Sequence, residues 1–125
     1  VHFKSCKLLG IRFDQCNPIG LQMYYTDCVL DHSSFYKIKM HRSRFVSCRL
    51  QGVDFSECDF NESSFTGCEF GDNTFDKSSF QKCDFRGTRG LIINPAANNL
   101  KGAVFNQDAL AGLLAGFQIE IDETE

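Results

Sequence analysis

Large apolar residues recur at every fifth position along most of this chain. From Tyr25 the series runs Leu30, Phe35, Met40, Phe45, Leu50, Phe55, Phe60, Phe65, Phe70, Phe75, Phe80 and Phe85 without a gap. Phe3, Leu8 and Phe13 keep the same step in an earlier phase, and Leu100 and Phe105 return to the main one. Two residues before each centre stands a small or medium side chain: Met23, Cys28, Ser33, Ile38, Ser43, Cys48, Val53, Cys58, Ser63, Cys68, Asn73, Ser78 and Cys83, with Val1, Cys6, Ile11 and Cys16 in the early phase. A period of five matches neither the 3.6 of a helix nor the 2 of a strand. It matches a coil that turns a corner every five residues and points two side chains of each side inward. Four sides make a square coil of 20 residues. Such coils stack at the β spacing of about 4.8 Å and bury one continuous core.

The phase shifts between Phe13 and Tyr25. Pro18 and Gly20 at the break are the punctuation expected of an irregular corner near 14–24 inside one domain. The regular coils run to Phe85, about four of them from Val1. A less regular stretch over 87–99 follows, containing an extended Leu91-Ile92-Ile93 and a turn at Asn94-Pro95. The segment from Leu100 to Phe105 resumes the repeat for one side. The pattern then changes. Asn106 is a candidate N-cap, and Asp108 suits the positive end of a helix. Leu110, Leu113, Leu114 and Phe117 recur at helical spacing, which predicts a helix near 107–115. Gly116 is placed to end it in a left-handed cap, and residues 118–122 alternate as a short strand. The helical face could cover the open end of the core, or pair with a second copy. The domain reading is therefore a β-helix over 1–105 and a capping or dimerisation module over 106–125. The chain opens at Val1 in the middle of a repeat, as expected of a piece of a longer parent.

Phe or Leu at the centre with a small residue two before it resembles the pentapeptide-repeat family, over roughly residues 1–105. That resemblance implies an all-β solenoid, a right-handed quadrilateral β-helix. Here Cys and Ser take the small slot that the family usually gives to Ala. The Leu-rich helix and Ile-containing strand after the coils resemble the C-terminus of the quinolone-resistance (Qnr) group within that family. This second resemblance implies a two-fold dimer through Leu110, Leu113, Leu114, Phe117, Ile119 and Ile121. It also implies an acidic rod that imitates B-form DNA and binds a type II topoisomerase, DNA gyrase or topoisomerase IV, with quinolone resistance as the outcome. The long projecting loops of some members have no counterpart in this sequence. The alternative is a structural or scaffolding solenoid with another protein partner.

Composition sharpens parts of this picture. Twelve of the 13 Phe lie on the five-residue lattice, and Phe117 alone does not. All 7 Cys fall in the small inward slot. An odd count argues against a complete disulfide framework. Cys28, Cys48 and Cys68 are one coil apart and form a column, which Cys6 joins if the phase break adds two residues. By the same rule Cys16 stacks with Ile38 and Cys58. Inward cysteines of this kind are small core residues, expected as buried free thiols. Zinc spacings such as Cys-x2-Cys are missing, so no metal or other cofactor is expected.

Net charge is −3, from 13 basic and 16 acidic residues, which gives no reason to expect direct nucleic-acid binding. No apolar run approaches the roughly 18 residues of a membrane span, and no signal-peptide pattern opens the chain. The expected setting is cytoplasmic. His32 and His41 fall in outward slots beside Asp31 and Arg42, and no Ser-His-Asp or Cys-His arrangement follows, so no catalytic residue is expected. Charge is segregated along the chain. Lys37, Lys39, Arg42, Arg44 and Arg49 form a basic band. Asp54, Glu57, Asp59, Glu62, Glu69, Asp72 and Asp76 follow with no Lys or Arg between 51 and 76. All seven acids take outward slots. Together they form a candidate DNA-mimicking surface, if they are more than the charge any soluble solenoid displays.

Overall fold

The computed structural model describes residues 1–15 and 22–122. The fold is built from four parallel ladders, each stepping one coil at a time. On the first face β1 (His2–Lys4), β2 (Tyr24–Thr26) and β3 (Arg44–Val46) pair in parallel, and bridges continue through Ser64 and Asp84 to Val104. On the second face, bridges from Lys7 to Val29 and from Val29 to Arg49 lead into the pair β4 (Arg49–Gln51) and β5 (Glu69–Gly71), and then to Arg89. The third ladder runs Arg12, Ser34, Asp54, Thr74, and the fourth Lys39, Asp59, Ser79, Asn99. Above residue 22 every step is 20 residues. Below it the step is 22, as in His2 with Tyr24 and Lys7 with Val29. The two extra residues at the phase break are thus absorbed without loss of register. Residues 16–21, with Cys16 and most of the expected irregular corner, lie outside the described residues.

The corner explains the period. At several corners the N–H three residues after a centre donates back to that centre's carbonyl: Ile38 to Phe35 at 3.0 Å, Ser63 to Phe60 at 3.1 Å, Ala103 to Leu100 at 3.0 Å. The third residue of such a turn takes a positive φ, as in type II turns. Lys37 (φ 59°), Arg42 (57°), Glu57 (51°), Glu62 (64°) and Lys82 (57°) occupy it, with Gly at 52, 67, 87 and 102. L-residues adopt this conformation at a cost of about 1 kcal/mol. The corner N–H meets it by bonding to the next coil, Arg42 to the Asn61 carbonyl and Glu62 to the Gln81 carbonyl.

The centres form stacked aromatic columns. Phe45, Phe65, Phe85 and Phe105 lie nearly parallel at 4.7 to 5.3 Å between ring centroids. Rings of neighbouring columns meet edge to face, as Phe60 does with Phe65 and Phe80 with Phe85. Most expected centres are buried, with exceptions at the ends of columns. Phe3, Leu8 and Phe13 are only partly buried, and Val1 and Ile11 are exposed, because the first coil has no described coil beneath it. Phe75 is half-buried and stacks on Phe55 alone. The third ladder ends at Thr74, and the Asn94-Pro95 turn leaves the path that would have covered Phe75. Leu91 and Ile93 instead turn inward, 5 % and 1 % exposed, and join the core.

The small slot carries a recurring hydrogen bond. Ser63 Oγ donates to the Met40 carbonyl, Cys68 Sγ to Phe45 and Cys83 Sγ to Phe60, each a centre one coil earlier. Where the coil loosens, Asn73 and Asn98 fill the same slot, and their Nδ2 atoms donate to Leu50 and Phe75.

The tail is helical over Gln107–Ala109, α1 (Leu110–Leu114) and Ala115–Phe117, with 3-10 geometry flanking the α turn. Asn106 sits at the N-cap position but makes no side-chain capping bond. The left-handed residue at the C-terminal end is Gln118 (φ 55°), not Gly116. The expected strand over 118–122 is absent: these residues form no bridge among the described residues and are exposed. An alternating pattern specifies which side of a strand faces a core, but supplies no partner edge for its N–H and C=O groups.

Candidate interaction surface

Stacking decides what the charged residues meet. Each acid of the 54–76 band keeps its outward slot. Asp54, Asp59 and Glu69 are half-buried, and Glu57, Glu62, Asp72 and Asp76 are exposed. Half of the residues one coil above and below them are basic. Glu62 lies between Arg42 and Lys82, Glu57 between Lys37 and Lys77, and Glu69 between Arg49 and Arg89, all at 20-residue steps. Arg42 Nε approaches Glu62 at 3.6 Å, Arg89 approaches Glu69 at 4.0 Å, and His41 Nε2 lies 3.0 Å from Asp59. Arg49 turns the other way, to Asp31 at 2.9 Å, and Asp31 also accepts the Gln51 N–H. Asp54 accepts from the Ser56 N–H and hydroxyl. Asp72 and Asp76 have no basic residue directly above or below, and with Asp54 they leave a small acidic area beside the third face.

The linear acidic band is therefore one coil in a sequence of alternating sign. Residues 31–50 carry five basic side chains against Asp31, residues 51–70 carry five acidic and no basic, and residues 71–90 carry four basic against three acidic. Coils repeat at about 4.8 Å, well inside a Debye length of about 8–10 Å. Fields of opposite sign thus largely cancel before they reach far into solvent.

The tail presents a second surface. Leu113 packs against the core. Leu110, Leu114, Phe117, Ile119 and Ile121 are all exposed, from 36 % to 56 %. The helix docks closely: a Cβ on Gly112 would stand 1.9 Å from the Leu91 carbonyl oxygen. Ile92, also exposed, lies beside the helix at Gly112. Among the described residues, no helix is long and apolar enough to cross a membrane.

The described cysteines Cys6, Cys28, Cys48, Cys58, Cys68 and Cys83 are free. All but Cys6 are buried. Burial raises the Cys58 and Cys83 thiols to about 12 and also pushes Cys28 up. They are held as thiols rather than nucleophilic thiolates. A shallow, open depression on the fourth face, lined by Glu57, Asp59, Lys77 and residues 95–99, has Cys58 beneath it. Among the described residues, no three or more His, Cys, Asp or Glu side chains come together as a metal site. Charge pairing by coil was the feature missed in sequence. The 20-residue step that places the cysteine columns places Arg42, Glu62 and Lys82 as well.

These ladders and columns have counterparts among known proteins. No curated protein sequence matches the chain. The structure is similar to that of a trypsin-treated variant of QnrB1, a plasmid-mediated fluoroquinolone resistance protein, with TM-score 0.79 and 18% identity over 97% of this chain. The chain spans 58% of the length of that structure. A pentapeptide repeat protein from the Arabidopsis thaliana thylakoid lumen is similar at TM-score 0.45 and 18% identity, over 79% of this chain and 61% of that one. At 18% identity the likeness to the QnrB1 structure concerns the fold, a right-handed β-helix. Residues 21–94 match the family model described as the pentapeptide repeat region. With its five-residue lattice, four parallel ladders and that match, the chain belongs to the pentapeptide-repeat family.

Proposed function

We propose that this protein is a non-enzymatic interaction scaffold, a stiff rod that offers its faces and apolar tail to a protein partner. The alternation of charge from coil to coil carries this reading. Duplex DNA presents one negative charge per about 1.7 Å of axis, so an imitation needs about three acids of one sign on every coil. Here the acidic coil is flanked by basic ones, and Glu62, Glu69 and Asp59 face Arg42, Arg89 and His41. Short-range charge patterns of mixed sign suit a partner with a matching pattern rather than a uniformly basic DNA saddle. The exposed tail residues Leu110, Leu114, Phe117, Ile119 and Ile121 support self-association into a homodimer, with Leu113 tying the helix to the rod. Free buried thiols support a reducing, cytoplasmic setting.

The second reading is a DNA mimic of the Qnr type that binds DNA gyrase or topoisomerase IV and confers quinolone resistance. The likeness to QnrB1 over 97% of this chain supports it, as do the acids Asp54, Asp72 and Asp76, which have no basic residue stacked directly on them. A supercoiling assay with purified gyrase, with and without a quinolone, separates the two. The scaffold reading expects no protection and no binding that strengthens as salt falls. Protection that weakens when Asp54, Asp72 and Asp76 are together replaced by Ser would overturn it in favour of mimicry.

A further inference from the structure

The second ladder ends with its last rung open. Arg89 donates its N–H down to the Cys68 carbonyl and takes the Phe70 N–H on its own carbonyl. No described peptide bond is cis, so the N–H and C=O of each planar unit point opposite ways. The Thr88 carbonyl and the Gly90 N–H therefore face up, away from the coil beneath. In lower rungs the same two groups hold the next coil: the Cys28 carbonyl takes the Arg49 N–H, and Leu30 donates to the Arg49 carbonyl. Among the described residues, Thr88 and Gly90 find no such partner. The residues one coil on, Gln107–Ala109, have turned into the tail helix, and the Ala109 N–H bonds to the Asn106 carbonyl instead.

The edge is reachable and borders a cavity. Gly90 is exposed, and a crevice of about 460 Å³ has residues 88–92 on one wall and Asp108, Ala109, Ala111, Gly112 and Ala115 on the other. Two parts of the lattice are missing there. Gly90 stands at a centre position and supplies no side chain. Thr88 takes the small slot one coil above Cys68, but its buried hydroxyl makes no hydrogen bond, whereas Cys68 donates to the Phe45 carbonyl. A strand edge with unpaired backbone groups is a template for an extended chain. We propose that Thr88–Gly90 is a strand-addition site for an extended segment of a partner protein bearing apolar, acidic and apolar residues in succession. This rests on the scaffold reading and names where the partner is gripped. Charge selects the middle residue. The outer column alternates Arg49, Glu69, Arg89. Arg89 meets Glu69 below it at 4.0 Å and pairs with no other acid among the described residues. The flanking apolar side chains enter the crevice over Thr88 and Gly90, where alanines and Gly112 leave room. Asp108 on the far wall disfavours a second acid. Close packing of Gly112 on the Leu91 carbonyl bounds the site, so the added strand is as short as the chain's own.

The test is amide NMR of the whole isotope-labelled chain, titrated with a short end-blocked peptide centred on Val-Glu-Val and with its twin carrying Lys in place of Glu. The expected result is saturable shifts at Gly90 and its neighbours with the Glu peptide, slower hydrogen exchange of the Gly90 N–H, and weaker binding of the Lys peptide. Arg89 is an exposed side chain, so Arg89→Glu keeps the fold. It should reverse the preference and weaken the Glu peptide about fivefold. Shifts confined to another face, equal affinity for both peptides, or no reversal in Arg89→Glu would each overturn the site. A Gly90 N–H already protected in the free chain and released by Ile119→Asp would overturn it in favour of the tail of a second copy. If neither peptide moves Gly90 the site is wrong, and the scaffold reading stands on the other faces.

Discussion

Truncating Phe65 to alanine tests whether the aromatic columns hold the rod together. Phe65 is fully buried in the middle of its column, between Phe45 at 4.7 Å and Phe85 at 5.3 Å, and it meets Phe55, Phe60 and Phe80 edge to face at 5.9, 5.8 and 6.0 Å. Removing a buried Phe side chain costs about 3–5 kcal/mol. The cut falls at the upper end, because two stacked pairs worth about 0.5–1.5 kcal/mol each are lost with no loop nearby to collapse into the space. Domains are stable by only about 5–15 kcal/mol, so Phe65→Ala removes a large share. Phe75→Ala is the internal control. That ring is half-buried and stacks on Phe55 alone, at 5.1 Å, so its loss should cost about half as much, roughly 2 kcal/mol. Urea unfolding followed by circular dichroism gives both values from the midpoints. A solenoid couples each coil only to its neighbours, so the Phe65 variant should also unfold over a broader range. If Phe75→Ala proved as damaging as Phe65→Ala, or Phe65→Ala cost less than about 1 kcal/mol, stacking would not be what the columns contribute.

Three further outcomes follow from the same geometry. Gly112→Ala puts a methyl group against the Leu91 carbonyl, so the tail helix should undock and limited proteolysis should cut near 106–117 while the coils stay intact. Leu114→Asp places a charge in the exposed apolar tail, and light scattering should report monomer where the unchanged chain is dimeric; a chain already monomeric at high concentration would refute self-association. The raised folded-state pKa values of Cys58 and Cys83 favour the protonated thiol in the native state. Their contribution is complete below the ordinary thiol pKa of about 8.5 and is lost as pH rises toward about 12. Stability should therefore fall above pH 9 by up to about 1.4 kcal/mol per pH unit for each thiol, and by less in Cys58→Ser, as measured by urea midpoints.

The core was legible because one number governs it. A step of five assigns Phe45, Phe65 and Phe85 to one column, and a step of 20 stacks Cys28, Cys48 and Cys68. Even the two-residue offset could be read from the phase change alone. What escaped depends on neighbours that the period does not count. Phe75 satisfies the lattice, yet the chain departs at Asn94 and leaves it without a cover. Residues 118–122 alternate as a strand should, yet no edge receives them. Gly116 looked like the helix stop, but Gln118 takes the left-handed conformation. The charge bands misled for a different reason. Reading along the chain groups Asp54 to Asp76 together, whereas folding sets Glu62 against Arg42 and Glu69 against Arg89. The surface was written at a spacing of 20, and a linear reading averages over it.

The corner turns have a consequence for how such a rod can change length. Each set of five residues advances the path by one side, so the orientation of everything downstream is indexed by residue count. Removing residues 51–70, one whole circuit, would leave Arg49 facing Arg89 and every later face in place, with the rod one rung shorter. Removing only five would swing the tail helix by a quarter turn and carry Leu110 and Leu114 around to a neighbouring side. Insertion of two residues, as between Phe13 and Tyr25, does neither, since the ladders on both sides keep their pairing. Length and facing are separately adjustable in this fold. A partner that grips both a charged face and the tail would therefore sense the residue count between them modulo 20.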